Sequence, residues 1–279
     1  MRPTWTLPGA MPMGAVQNGG MADTPRDTIR RRILDGETLF GAWTDVASPL
    51  AAEITGRAGY DWCVIDMEHG AVTEADLLAV MLAVEVSGAA AIVRPPSGER
   101  LRMGRALDLG AAGIVVPQLQ SAADAAQAVT YLRYPPAGAR GVALRTRGGK
   151  LGALGHGEIR SVNEELVGII QIESPGALRE VDAIAATDGV DVLFVGPADL
   201  SHSLGIPGQF SDPAYLDALD AVVAACRRHG KSPGILLYDH AAFGPHLERG
   251  FRFVGVGSES HFVAEGAKAA LAAARAAAG

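Results

Sequence analysis

The segment Asp61–Gly70, DWCVIDMEHG, places two carboxylates and an imidazole (Asp66, Glu68 and His69) at the end of an apolar run. An imidazole moves protons near neutral pH, and carboxylates beside it can orient it or hold a hard cation. Polar residues end other apolar runs in the same way: Arg94 after AAIV, Gln171 and Glu173 in VGIIQIE, Asp199 in VLFVGPADL, and Asp45 and Glu259 after two more. Gathered in one volume, such charges are costly unless a metal or ligand compensates them. Glu173 and Asp199, on neighbouring strands, suit a cation such as Mg²⁺, which takes few protein carboxylates and leaves positions for substrate oxygens. Each residue alone has a plainer reading: Glu173 paired with an arginine, Asp199 capping a turn, His69 a structural histidine. The other histidines show no HxxxH spacing, which argues against zinc.

The elements that must position these residues recur at a regular interval. The runs 39–46, 62–67, 90–95, 113–119, 167–173, 192–200, 232–238 and 251–259 are continuously apolar rather than alternating. That is the pattern of parallel strands buried on both faces. Helical stretches lie between them; several open on Ser, Thr or Asp and several close on Gly, as caps require. Eight strands alternating with eight helices over about 240 residues predict an α/β fold, a (β/α)₈ TIM barrel. A doubly wound sheet would carry GxGxxG after its first strand, and FGAWTDVASPL does not. In a barrel, chemistry sits at the C-terminal ends of the strands, where the residues above stand. The interval between Tyr131 and Val167 breaks the rhythm with a Gly-, Arg- and Pro-rich stretch. It reads either as a lid over the barrel mouth or as a solvated insertion.

Composition narrows the function classes. The chain of 279 residues is 48% hydrophobic and 20% charged, with a net charge of −7. That balance argues against nucleic acid as the main partner. No apolar run approaches the roughly 20 residues of a membrane span. Cys63 and Cys226 are far apart and lack metal-ligand spacing, so free thiols in a reducing, cytoplasmic setting are expected. Residues 1–20, rich in Pro, Gly and Met without a period, are expected to be a disordered extension, and 21–279 a single barrel domain.

The chain resembles the HpcH/HpaI family of class II, metal-dependent pyruvate aldolases from about Gly41 to its C-terminus. The resemblance is carried, in order, by DWCVIDMEHG, VRPP, LDLGAAGIVVPQLQ, RYPPAGARG, QIES, GPADLSHSLG and GVGSE. It implies reversible aldol cleavage of a 4-hydroxy-2-oxo acid to pyruvate and an aldehyde. It further implies Glu173 and Asp199 as ligands of a divalent ion (Mg²⁺, Mn²⁺ or Co²⁺). His69 would be the base, Arg94 the enolate-stabilising cation, and Gln171 a neighbour of pyruvate. Asp108 would be the carboxylate that orients the histidine, and the Gly196–Ala198 backbone would face the substrate carboxylate. A homohexamer is the assembly the resemblance implies, and the Ala-rich C-terminal helix suits packing against a neighbouring subunit.

Three features qualify that picture. Lys150, Lys231 and Lys268 fall in loop or helix segments, which disfavours a Schiff base. Asp108 precedes the fourth strand, at the end of the barrel opposite His69, and a six-residue strand is about 20 Å long. Asp108 therefore acts across a subunit interface, or Asp66 orients the imidazole instead. Arg140, Arg145 and Arg147 would favour an acidic aldehyde or are solvated loop charges. Two other functions remain open: a CoA-thioester lyase using the same carboxylates, and a barrel that only binds a keto acid.

Overall fold

A computed structural model describes residues 24–278. Its strands are β1 (Leu39–Thr44), β2 (Trp62–Asp66), β3 (Ala90–Arg94), β4 (Gly113–Val116), β5 (Val167–Ile172), β6 (Val192–Val195), β7 (Ser232–Leu236) and β8 (Phe253–Ser258). Each pairs in parallel with the next, and β8 closes on β1, so the predicted eight-stranded barrel is what forms. The helices are α1 (Pro25–Leu34), α2 (Pro49–Gly56), α3 (Leu77–Val86), α4 (Arg100–Leu109), α5 (Ala122–Leu132) and α6 (Val162–Glu165). They continue as α7 (Pro175–Arg179), α8 (Val181–Ala186), α9 (Pro197–Ser203), α10 (Pro213–His229), α11 (Phe243–Arg249) and α12 (Glu259–Ala277). The extension expected at 1–20 lies outside the described residues. Among the described residues no helix is long and apolar enough to cross a membrane.

Strand residues alternate between two apolar layers. Trp62 and Val64 on β2, Ala90 and Ile92 on β3, Val167 and Ile169 on β5, and Phe194 on β6 fill the barrel interior. Cys63, Ile65, Ala91, Val93 and Ile170 face the surrounding helices. Two-sided burial is why these runs read as continuously apolar. Both cysteines are buried and free, and burial pushes each thiol up to about 12, so they are core rather than reactive groups. Trp62 stacks on Phe253 with ring centroids 4.1 Å apart. It fits because a Cβ on Gly41 would meet its ring at 2.0 Å. Ile29 and Ile33 of α1 join the interior layer and seal the N-terminal end.

Two expectations change. The run 192–200 is not one strand: β6 stops at Val195, and Pro197 starts α9 at its first position, where a missing N–H costs nothing. The segment between α5 and β5 is not a lid on its own barrel's mouth. Helix α5 returns the chain to the N-terminal end, so residues 133–166 pack there against α1. Arg26 donates to the carbonyls of Arg147 and Gly148, each at 3.2 Å, and Lys150 bridges Asp27 at 3.2 Å and Glu165 at 2.8 Å.

Candidate active site

The inward-facing register, continued past each strand end, delivers the site. On β2 the sequence 62, 64, 66 ends on Asp66; on β3 the sequence 90, 92, 94 ends on Arg94. On β5 the sequence 167, 169, 171 ends on Gln171, with Glu173 next. Asp66 and Arg94 are register partners, and their side chains meet in a two-pronged pair. Arg94 Nε donates to Asp66 Oδ1 at 2.9 Å and Nη2 to Oδ2 at 2.8 Å, while Nη1 lies 3.1 Å from Glu68 Oε2. Burial opposes the guanidinium charge, but the Asp66 bonds and the fields of Asp66, Glu68 and Glu173 outweigh it and raise the pKa of Arg94. Asp66 Oδ1 also accepts the backbone N–H groups of Glu68 at 3.0 Å and His69 at 3.3 Å, which sets the turn carrying both.

Gln118, two residues after β4, joins this group to the next. Its backbone N–H donates to Glu173 Oε1 at 2.6 Å, and its side-chain Nε2 donates to Glu68 Oε1 at 2.6 Å. It holds a φ of +60°, a left-handed conformation unusual for a residue with a Cβ and costly to maintain. Glu173 is buried and also accepts from the Gln171 amide. Burial raises the pKa of its carboxyl, and the nearby charges of Asp199 and Glu68 add to the rise. Gly196 is required beside it, because a Cβ there would stand 2.8 Å from Glu173 Oε2 and 2.9 Å from Gln171 Nε2. Asp199 sits in the first turn of α9, where a carboxylate is favoured. Ser203, in the same helix, ties α9 to the end of β5 through the Glu173 carbonyl at 3.1 Å.

These groups border a cavity of about 510 Å³ at the C-terminal mouth, lined by His69, Arg94, Gln171, Ala198 and Asp199 among others. An adjoining recess is lined by Glu68, His69, Gln118, Glu173 and Asp199. Among the described residues no three His, Cys, Asp or Glu side chains form a protein-only metal cage. The mouth instead offers the Glu173 and Asp199 carboxylates beside Gln171, whose Oε1 is buried with no hydrogen-bond partner. An all-oxygen set with few protein ligands fits a hard divalent cation that fills its shell with water and substrate.

His69 stands at the mouth with a side chain 63% exposed and Nε2 3.9 Å from Glu68 Oε2. Asp66, one candidate for orienting this ring, is committed to Arg94 and to backbone N–H groups. Asp108 lies near the end of α4, at the other end of the barrel, where Arg140 Nη2 donates to it at 3.2 Å. Arg147 pairs with Glu85 at 2.6 Å, so neither arginine lines the mouth of its own barrel. Reading from the sequence did not assign roles to Glu68 and Gln118. Glu68 was visible as part of the EH pair; nothing in VPQLQ announces that Gln118 bridges two carboxylates.

The fold and site together define a (β/α)₈ barrel with its acidic and basic side chains gathered at the C-terminal mouth, where barrel enzymes carry their chemistry. Residues 39–266 match the family described as HpcH/HpaI aldolase/citrate lyase. A 5-keto-4-deoxy-D-glucarate aldolase of Klebsiella pneumoniae is 40% identical over 223 residues, 80% of this chain and 87% of that one. A hydroxypyruvate/pyruvate aldolase of Paraburkholderia phytofirmans is 37% identical over 253 residues, 87% of this chain and 95% of the other. Among solved structures, an HpcH/HpaI aldolase/citrate lyase family protein from Burkholderia cenocepacia superposes with a TM-score of 0.85 at 36% identity, covering 89% of this chain and 99% of that one. The chain belongs to the HpcH/HpaI aldolase/citrate lyase family and is a carbon–carbon lyase of the aldolase type.

Proposed function

We propose that the protein cleaves a 4-hydroxy-2-oxo acid reversibly to pyruvate and an aldehyde, with a divalent cation held by Glu173 and Asp199. The observation that carries this reading is Glu173, a buried carboxylate with Asp199 and Glu68 beside it and no ion-pair partner among the described residues. A Mg²⁺, Mn²⁺ or Co²⁺ ion at that pair would supply Lewis-acid polarisation of the 2-oxo group. His69, exposed to the cavity, takes the 4-hydroxyl proton as the C3–C4 bond breaks. Arg94, held rigidly by Asp66 and Glu68, presents its remaining N–H donors where enolate charge collects. The Ala198 and Asp199 N–H groups, in the first turn of α9, have no acceptor within the helix and suit the substrate carboxylate.

The assembly proposed with this function is a homohexamer in the cytoplasm. Its support is α12, buried only at Glu259, with Val263 68% and Leu271 52% exposed. Asp108 then reaches a partner's His69, and mixing H69A with D108A subunits restores activity.

The test of the reaction is pyruvate methyl-proton exchange in D₂O, followed by NMR on EDTA-stripped protein with Mg²⁺, Mn²⁺ or Co²⁺ returned. Metal-dependent exchange is expected. Its absence with every ion, in folded protein, sinks the proposal.

A further inference from the structure

Tyr238, two residues past the end of β7, lines the mouth cavity with Arg94, Asp66, Asp45 and Ser258, and takes no part in the proposed enolate chemistry. Its ring stands edge-to-face on His261, with centroids 5.0 Å apart and planes at 69°. Its phenol has the Ser258 hydroxyl as a hydrogen-bonding neighbour. Ser258 ends β8, is buried, and caps α12 by accepting the His261 N–H at 3.4 Å.

Three hydroxyls run in line from the cavity to a carboxylate, and the carboxylate sets their direction. Ser260 Oγ donates to Asp45 Oδ2, and Asp45 Oδ1 accepts the Ser260 N–H at 3.0 Å. A carboxylate only accepts, so the one hydroxyl proton of Ser260 is committed to Asp45. Ser258 Oγ, 3.1 Å from Ser260 Oγ, is then the donor of that pair. With its own proton turned to Ser260, Ser258 can only accept from Tyr238. The phenol proton therefore points into the protein, and Tyr238 offers the cavity an oxygen with lone pairs. Donating in such a chain makes that oxygen a better acceptor. Burial, with the charges of Asp45 and Asp66, raises the phenol pKa, so the group is a neutral hydroxyl.

We infer that Tyr238 is a specificity-determining residue for the aldehyde, accepting a hydrogen bond from a hydroxyl on the carbon next to the aldehyde carbonyl. The inference rests on the pyruvate-aldolase reading and names the residue that reads the second substrate. The phenol feels the charges of Arg94 and Asp66, which places it beside the reacting carbons rather than at the far end of the aldehyde. Every bond of the hydroxyl chain is made within one subunit. In the proposed assembly a partner's Asp108 end meets His69 after β2, three strands round the ring from β7. In the condensing direction pyruvate C3 loses a proton and bonds the aldehyde carbon, whose oxygen takes up a proton as the 4-hydroxyl. The neighbouring hydroxyl passes through unreacted as the 5-hydroxyl.

Racemic lactaldehyde and propionaldehyde differ only in that hydroxyl. Each is supplied with saturating pyruvate, and pyruvate consumption gives kcat/KM. Lactaldehyde is expected to be favoured at least about tenfold, and Tyr238→Phe, which removes the phenol oxygen and keeps the ring, to lower that ratio about tenfold. 2-Methoxypropanal keeps the oxygen but has no proton to donate, and is expected to do no better than propionaldehyde. A ratio that survives Tyr238→Phe overturns the inference, including the case where both aldehydes slow alike through a general loosening of the wall. So does 2-methoxypropanal matching lactaldehyde, or turnover of no aldehyde while pyruvate exchange persists. Loss of pyruvate exchange in the parent protein removes the underlying reading instead, so the two failures are told apart by one control.

Discussion

Asp191 and Glu173 are buried carboxylates at opposite ends of the paired strands β5 and β6, and the balance of charge around them differs. Asp191, before β6, lies 3.0 Å from Arg30 Nη2 and 3.7 Å from Arg133 Nη2, and accepts the Gly168 N–H at 2.9 Å. Glu173, past the end of β5, has the Gln118 N–H and the Gln171 amide, with the like charges of Asp199 and Glu68 beside it and Arg94, already bound to Asp66 and Glu68, opposing them. At the closed end of the barrel the fold cancels its own charge. At the mouth, among the described residues, it assembles negative charge that Arg94 does not balance, the surplus on which the proposed cation would act. Glu259 is a third case. Its Oε2 accepts the Val46 N–H at 3.2 Å, and burial, with the charge of Asp45 beside it, pushes its carboxyl up to about 7. It meets the cost of burial by a raised proton affinity.

The largest effect expected is at the mouth. Glu173→Ala and Asp199→Ala should each lower pyruvate proton exchange by about 10³-fold, roughly 4 kcal/mol in barrier terms. Their melting temperatures should stay near that of the parent, since the changes remove crowded negative charge. A large loss of thermal stability would make Glu173 a structural residue like Asp191. Next, Asp191→Asn leaves Arg30 and Arg133 facing a neutral group and should cost about 3 kcal/mol in urea unfolding. Exchange per folded molecule should not change; a drop would show that the two ends of the strand pair are coupled.

Glu259 sets a smaller, pH-dependent term. Its carboxyl keeps its proton to about 7 in the folded chain, against an ordinary value of 4.5. The folded state therefore binds more protons between those values, and stability falls as pH rises from about 4.5 to 7. Glu259→Gln should flatten that slope, by about 2 kcal/mol over the interval, as read from denaturant midpoints at several pH values. An unchanged slope would place the titration elsewhere. The smallest effect expected is at Gln118. Gln118→Ala and Gln118→Gly both keep the N–H that holds Glu173 and both lose the bond to Glu68, so each should lower kcat/KM about tenfold. Activity close to the parent in both would mean that Glu68 is positioned by Arg94 alone.

The eight apolar runs, their parallel pairing and most of the site were legible in the sequence. The reason is local: alternation along a strand sets which residue faces inward, and that register carries past the strand end to Asp66, Arg94, Gln171 and Glu173. Asp199 was found for the right end of the barrel on the wrong element, because Pro197 begins a helix where apolar residues suggested more strand. The 133–166 segment carried no local signal of which end it covers; its packing against α1 depends on Arg26 and Asp27, more than 120 positions away in places.

What the sequence determined by itself is therefore the barrel and the set of chemical groups at its mouth, since both follow from periodicity along single strands. The tertiary structure decided how those groups are charged and paired: Arg94 against Asp66 and Glu68, Gln118 spanning Glu68 and Glu173, Asp191 neutralised and Glu173 not. Those facts depend on distances between strands and loops far apart in the chain, and electrostatic energy follows distance and burial rather than order along the backbone.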